Sequence, residues 1–155
     1  MKKSRPSGEL QGTSEGQEEF CLFCKIVSRE LEATIIFEDE ISMAFLDVRP
    51  LFPGHVLFVP KAHYHTLSDL PTDLVGPFFI NVQMLTRKVQ EVMKTEGSFV
   101  AMNNVVSQSV AHFHVHIVPR RKGDGLRGFF WPRQRYKEGE MVALQKEFTP
   151  TVGTE

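Results

Sequence analysis

Three histidines, His112, His114 and His116, occupy every second position of the run AHFHVHIVPR, residues 111–120. Successive side chains of a strand point to opposite faces, so the imidazoles share one face while Phe113, Val115 and Ile117 fill the other. A merely polar outer face would more readily carry Thr, Lys or Glu, because neighbouring imidazoles oppose one another's protonation. Imidazole acts near neutral pH as nucleophile, acid, base or metal ligand, so the row calls for covalent catalysis or a metal, and spacing alone leaves both open. A catalytic zinc wants an open coordination position and often an acidic base nearby, and no His-Glu pair of the metalloprotease kind is present.

A second group with chemical capacity is Cys21 and Cys24, a C-x-x-C pair. It reads as a redox pair, half of a metal site or two apolar residues. A cytosolic setting disfavours a permanent disulfide, and a closed zinc site needs two further ligands.

These side chains need a scaffold, and 155 residues supply one domain with a real core. The formal net charge of -1 argues against a general nucleic-acid binder, which carries a basic excess to meet phosphates. No apolar run has the length to cross a bilayer, and the basic start MKKSRPSGEL has no apolar signal core behind it, so a cytoplasmic protein is expected. Residues 1–18 are polar and rich in Ser, Gly and Glu, and read as a flexible tail. The core domain is expected over 19–125, followed by an aromatic and basic loop and tail over 126–155.

Within the core, EFCLFCKIVSRELEA suits a short amphipathic helix through Phe20, Phe23, Ile26 and Val27. TIIFEDE and SMAFLDV alternate about an acidic turn as a hairpin, with GHVLFVPK as the third strand. One long helix is predicted from LPTDLVGPFFINVQMLTRKVQEVMKTEG, capped near Thr72 or Asp73, tolerating Pro77 early, stopping at Gly97, and burying Val75, Phe79, Val82, Leu85, Val89 and Val92. SFVAMNNV and the histidine segment complete about five strands. This order predicts an α+β fold, an antiparallel sheet with the long helix packed on one face. A further short helix is expected at 140–148.

SQSVAHFHVHIVPR, preceded by AFLDVRPLFPGHVLFVPKAH, resembles the histidine triad (HIT) family of nucleotide hydrolases and transferases, over about Cys21 to Arg120. The resemblance implies a HIT-like fold. It also implies that His114 attacks the α-phosphorus of a purine nucleotide or nucleotide conjugate, giving a nucleotidyl-histidine that water hydrolyses. His112 would then position His114 through its backbone carbonyl, His116, Gln108 and Ser109 would supply donors, and His55 would join the same face. Gln stands at the position of His116 in the galactose-1-phosphate uridylyltransferase branch, so His116 implies hydrolysis rather than transfer. Asp47 matches the ribose-binding carboxylate, and Phe23, Ile26, Phe45 and Val48 match positions around the base. Ser107 stands where relatives often have glycine ahead of the Gln-Ser pair, and Asn104, rather than Asn103, is the expected sugar or phosphate contact.

Some bacterial members bind structural zinc, and the resemblance carries that set onto Cys21, Cys24, His63 and His112, with His65 a nearby exposed decoy. It also implies a homodimer joined through the long helix and the strand 98–105. Phosphoramidase-like (Hint) and dinucleoside polyphosphate (Fhit) branches share these residues, and a purine nucleotide-binding scaffold without turnover would need the same pocket. The loop around Phe129, Phe130 and Trp131, set among Arg127, Arg133 and Arg135, has an apolar cluster suited to cover a leaving group or to pack on a dimer.

Overall fold

The computed structural model describes residues 21–126 and 133–149. The chain divides into two units, Met1–Asp124 and Gly125–Glu155. In the first, α1 (Leu22–Val27) is followed by β1 (Ile35–Glu38), β2 (Ser42–Leu46), β3 (Val56–Pro60), a 3-10 turn (Leu67–Asp69), α2 (Thr72–Met93), β4 (Gly97–Ala101) and β5 (Val115–Arg120). The strands form one antiparallel sheet in the order β1-β2-β3-β5-β4, the α+β arrangement expected from the sequence. In the second unit, α3 (Glu140–Phe148) follows Gly139 and has no buried residue. Among the described residues no helix is long and apolar enough to cross a membrane. The expected tail over 1–18, Phe20 and the aromatic cluster of the C-terminal loop lie outside the described residues.

Both faces of the sheet are covered, which is why β2 beyond Ser42 and all of β3 are apolar instead of alternating with polar residues. Ala44, Phe58, Val115 and Ile117 pack against Phe78, Val82, Leu85 and Val89 of α2. On the opposite face Met43, Phe45, Leu57 and Val59 pack against Cys21, Phe23 and Ile26 of α1 and its cap. The β1–β2 turn closes on Asp39, whose Oδ1 accepts from the amides of Ile41 and Ser42 while Oδ2 accepts from Asn81 of α2 at 2.6 Å. That ties the hairpin to the long helix.

The α2 boundaries differ from expectation. Its cap is Pro71, and it stops at Lys94 rather than Gly97, because Lys94 takes the left-handed conformation (φ 52°) that ends a helix. Arg121 then donates to the freed carbonyls of Met93 and Lys94 at 2.6 and 2.8 Å. The apolar stripe has the expected phase but overruns the buried face. Val75 and Val92, in the first and last turns, are exposed, and Phe78 replaces Phe79 as the fully buried ring.

The histidine segment is also corrected: only His116 lies in β5, and His112 and His114 form its approach. The ladder with β3 pairs Val56 with Ile117, Leu57 with His116 and Phe58 with Val115. Continued by two residues it would bring Phe113 to Pro60, which has no N–H to donate. The Phe113 N–H goes instead to the Tyr64 carbonyl at 2.6 Å. Alternation survives the break, since Phe113, Val115 and Ile117 all enter the core beneath α2.

Candidate active site and metal centre

Strand register places Phe45 of β2, Leu57 of β3 and His116 of β5 in one row across the sheet. Side chains of such a row share a face, here the face toward α1. A pocket of about 600 Å³ opens there. Phe23, Ile26, Phe45 and Leu57 make its apolar wall, and Asp47, Ser109, His114 and His116 its polar end. Val48 lines it from the rim, 91% exposed. The turn before β3 is built on Gly54, at φ 89°, where a Cβ would meet the Met93 side chain at 2.7 Å. It delivers His55 into the sheet.

Hydrogen bonds fix which nitrogen of each ring carries a proton. His114 Nδ1 lies 2.7 Å from the His112 carbonyl oxygen, an acceptor, so Nδ1 is the protonated nitrogen and Nε2 keeps its lone pair. The Leu51 N–H donates to His55 Nδ1 at 3.2 Å, so His55 carries its proton on Nε2. That N–H faces His116 Nδ1 at 3.0 Å, leaving His116 protonated on Nε2. The chain Leu51–His55–His116 thus ends in a donor beside a bare nucleophilic nitrogen, the two rings 4.9 Å apart. Phe23 packs edge-on against His114 at 5.1 Å.

Burial keeps these rings neutral. It pushes His116 down to about 4, helped by the neighbouring His114 and His55 and opposed by Asp47. Burial likewise lowers His114 and His55, against the His112 carbonyl and Asp47 for the first and Asp47 for the second. Neutral imidazole is the form in which Nε2 can attack.

The structure brings together His55, His112, His114, His116, Asp47, Ser109, Phe23, Ile26, Phe45 and Val48 from the expected set. Asp47 is both a turn residue and a pocket residue: Oδ1 accepts from the Arg49 amide at 2.8 Å, while Oδ2 lies 3.6 Å from His55 Nδ1. Three expected residues are used inside the adjoining loop and are not among those lining the pocket. Gln108 accepts from the Val105 N–H and donates to the His65 carbonyl, Asn104 accepts from the Leu67 N–H, and Ser107 holds a left-handed φ of 61°. A glycine would hold that φ without strain. Sequence reading missed Leu57, whose pocket role follows only from its pairing with His116, and the carbonyl of Pro60, which accepts from His112 Nε2 at 2.8 Å.

The Pro60 bond has a second consequence: with Nε2 protonated, His112 Nδ1 keeps its lone pair, and it faces sulfur. Cys21 Sγ lies 3.4 Å and Cys24 Sγ 3.5 Å from it, and Cys24 Sγ lies 3.3 Å from His63 Nδ1. The four ligand atoms all lie within 4.8 Å of one another. Tetrahedral zinc with bonds of about 2.0–2.3 Å spaces its ligands about 3.3–3.8 Å apart, so the donor set and its spacing fit zinc. His65 is exposed and outside the cluster. A second cluster, Asp47, His55 and His116, is accounted for by the hydrogen bonds above.

The profile described as HIT domain matches residues 28–123. The chain belongs to the HIT family. It is 42% identical over 110 residues to an uncharacterized HIT-like protein of Methanocaldococcus jannaschii, covering 68% of this chain and 82% of that protein. It is 32% identical over 129 residues to an adenosine 5'-monophosphoramidase of Saccharomyces cerevisiae, covering 82% and 79%. The crystal structure of a HIT family member from Bacillus subtilis superposes with a TM-score of 0.79 at 30% identity, over 88% of this chain and 99% of that one.

Proposed function

We propose that this chain hydrolyses the bond between the α-phosphate of a purine nucleotide and its leaving group, with a nucleoside phosphoramidate or related adenylated conjugate as substrate. The observation that carries the reading is the His112 carbonyl holding His114 Nδ1–H at 2.7 Å, which leaves Nε2 bare. The base enters the wall of Phe23, Ile26, Phe45 and Leu57, and the Asp47 carboxylate accepts from the ribose hydroxyls. His114 Nε2 attacks the α-phosphorus, the bond to the leaving group breaks, and the leaving group takes a proton from water. His116 Nε2–H and Ser109 donate hydrogen bonds to the phosphoryl oxygens. Water then attacks phosphorus, the P–N bond breaks, and the nucleoside monophosphate departs with His114 neutral again.

Zinc would be held by Cys21, Cys24, His63 and His112 and would act structurally, since protein side chains fill its four positions. The assembly is a homodimer, with α2 and β4 of the two copies meeting so that an exposed sheet edge is covered.

Support from similarity lies in the yeast relative, which is named for adenosine 5'-monophosphoramidase activity. The test is mass spectrometry of protein mixed with adenosine phosphoramidate and, separately, a diadenosine polyphosphate. An adenylylated peptide containing His114, formed faster from the phosphoramidate, is the expected result. Faster formation from the dinucleotide reassigns the substrate, and tight nucleotide binding with no adduct and no turnover makes the chain a binding protein instead.

A further inference from the structure

The C-x-x-C pair sits closer to the nucleophile than a remote structural clip requires. Cys21 caps α1 and Cys24 lies in its first turn, while between them Phe23 packs on the rings of both His112 and His114, at 5.9 and 5.1 Å. The ring of His112 faces both sulfurs, and its backbone carbonyl holds the proton of His114. One residue therefore joins the thiol cluster to the group that orients the nucleophile. The cluster is also reachable: half-buried Cys24 and His63 line a separate pocket of about 410 Å³, together with Lys25, Ser28 and Lys61.

We infer that Cys21 and Cys24 form a redox-responsive pair, whose oxidation to a disulfide by a peroxide expels the metal and disorients His114. The step balances. The Cys24 sulfur attacks a peroxide oxygen, the O–O bond breaks, and water leaves once the departing hydroxide is protonated. The Cys21 sulfur then attacks the Cys24 sulfenic acid, the S–S bond forms, the S–O bond breaks, and a second water leaves. Two thiolates lose two electrons, the peroxide gains them, solvent supplies two protons, and zinc departs without changing oxidation state.

The geometry favours this closure. Residues three apart in a helical first turn are neighbours, and the two sulfurs already lie within 4.8 Å of each other. A disulfide draws them to about 2.05 Å and removes the charge that holds a metal. His112 Nδ1, fully buried, then has neither metal nor thiolate for its lone pair. The ring reorients, and the carbonyl of the same residue moves with it.

This inference rests on the zinc reading and on the role given to His114, so the experiment reads each separately. Protein purified with its zinc is treated with hydrogen peroxide beside a chelating dye. Released zinc, the mass of the peptide spanning 21–24, and the NMR signal of the His114 Nδ1 proton, assigned by its loss in His114→Ala, are followed together. The expected result is one zinc released per chain in step with a loss of two hydrogens from the peptide. The His114 proton signal shifts, adenylylation slows by about 10²-fold, the cost of a small misplacement, and a dithiol with added zinc restores all of it. Cys24→His keeps four ligands without the second thiol and should hold its zinc under the same peroxide.

Thiols and zinc that survive peroxide sufficient to oxidise a C-x-x-C peptide overturn the inference, as does zinc loss that leaves the His114 proton signal unmoved. Absence of zinc before treatment overturns it together with the metal reading. Absence of an adduct from untreated protein overturns the hydrolase reading alone, and the proton signal still decides the coupling.

Discussion

His114 Nδ1 and the carbonyl oxygen of His112 stand 2.7 Å apart, a bond between neighbours in one segment that sets the tautomer of His114. Removing the ring removes the proposed attacking atom while leaving the apolar wall of the pocket in place. His114→Ala and His114→Asn should lower turnover by on the order of 10³-fold or more, with nucleotide affinity changed little. Steady-state kinetics and calorimetric titration check both halves, and near-normal turnover in a folded variant rejects the covalent route.

His116 supplies a pH signature. Its folded value of about 4 lies below the ordinary 6.5, chiefly through burial. Between those values the unfolded chain binds a proton that the folded chain does not, so stability rises with pH there. The contribution is fully present above pH 6.5 and is lost as pH falls toward about 4. Urea unfolding across this window should show a midpoint that rises as pH rises from about 4 to 6.5, and His116→Gln should flatten the slope. An equal slope in the variant means another group carries it.

The order of elements, the acidic hairpin turn and the shared face of the histidines were readable because each depends on local chemistry: strand alternation, helical period and the carboxylate of Asp39. The grouping of Cys21, Cys24, His63 and His112, and that of Phe23, Phe45, Asp47 and His114 about one pocket, were readable by resemblance. What escaped were facts made by pairing across the chain. Leu57 enters the pocket only because it faces His116, His55 gets its tautomer from the Leu51 amide, and β5 begins late because Pro60 offers no N–H. Nor does the sequence announce that Lys94 ends α2, since a left-handed lysine has no compositional mark.

The metal prediction is quantitative. Protein washed with a weak chelator should retain one zinc per chain, and His65→Ala should retain it equally. Cys21→Ser and His63→Ala should lose it, with stability lower by about 4 kcal/mol when free zinc stands a thousandfold above the dissociation constant. Metal analysis paired with thermal unfolding decides the matter, and zinc-free protein of unaltered stability rejects the site.

The proposed homodimer makes a prediction about apolar surface. Ile80, Met84 and Val92 of α2 and Val100 of the edge strand β4 are exposed in the single chain. Covering them in a homodimer offsets part of the cost of association, roughly 25 cal/mol per Å² of apolar area buried. Light scattering at micromolar concentration should give twice the chain mass, and Ile80→Glu or Val100→Glu should give the single chain. A wild-type monomer refutes the arrangement.

The loop before the histidines carries the last expectation. Val105 and Ser107 both hold left-handed backbone, at φ 66° and 61°, a region that costs a residue with a Cβ about 1–2 kcal/mol. Glycine removes that cost but loses roughly 0.5–1 kcal/mol of its own in ordering, so Ser107→Gly should stabilise by about 0.5–1 kcal/mol. Val105→Gly should gain at least as much, because a β-branched residue fits this region worst and the hydrogen bond its backbone N–H donates to Gln108 Oε1 needs no side chain. Urea unfolding of both variants measures the gain. Destabilisation by Ser107→Gly would mean that the serine side chain stabilises the loop by more than its backbone costs.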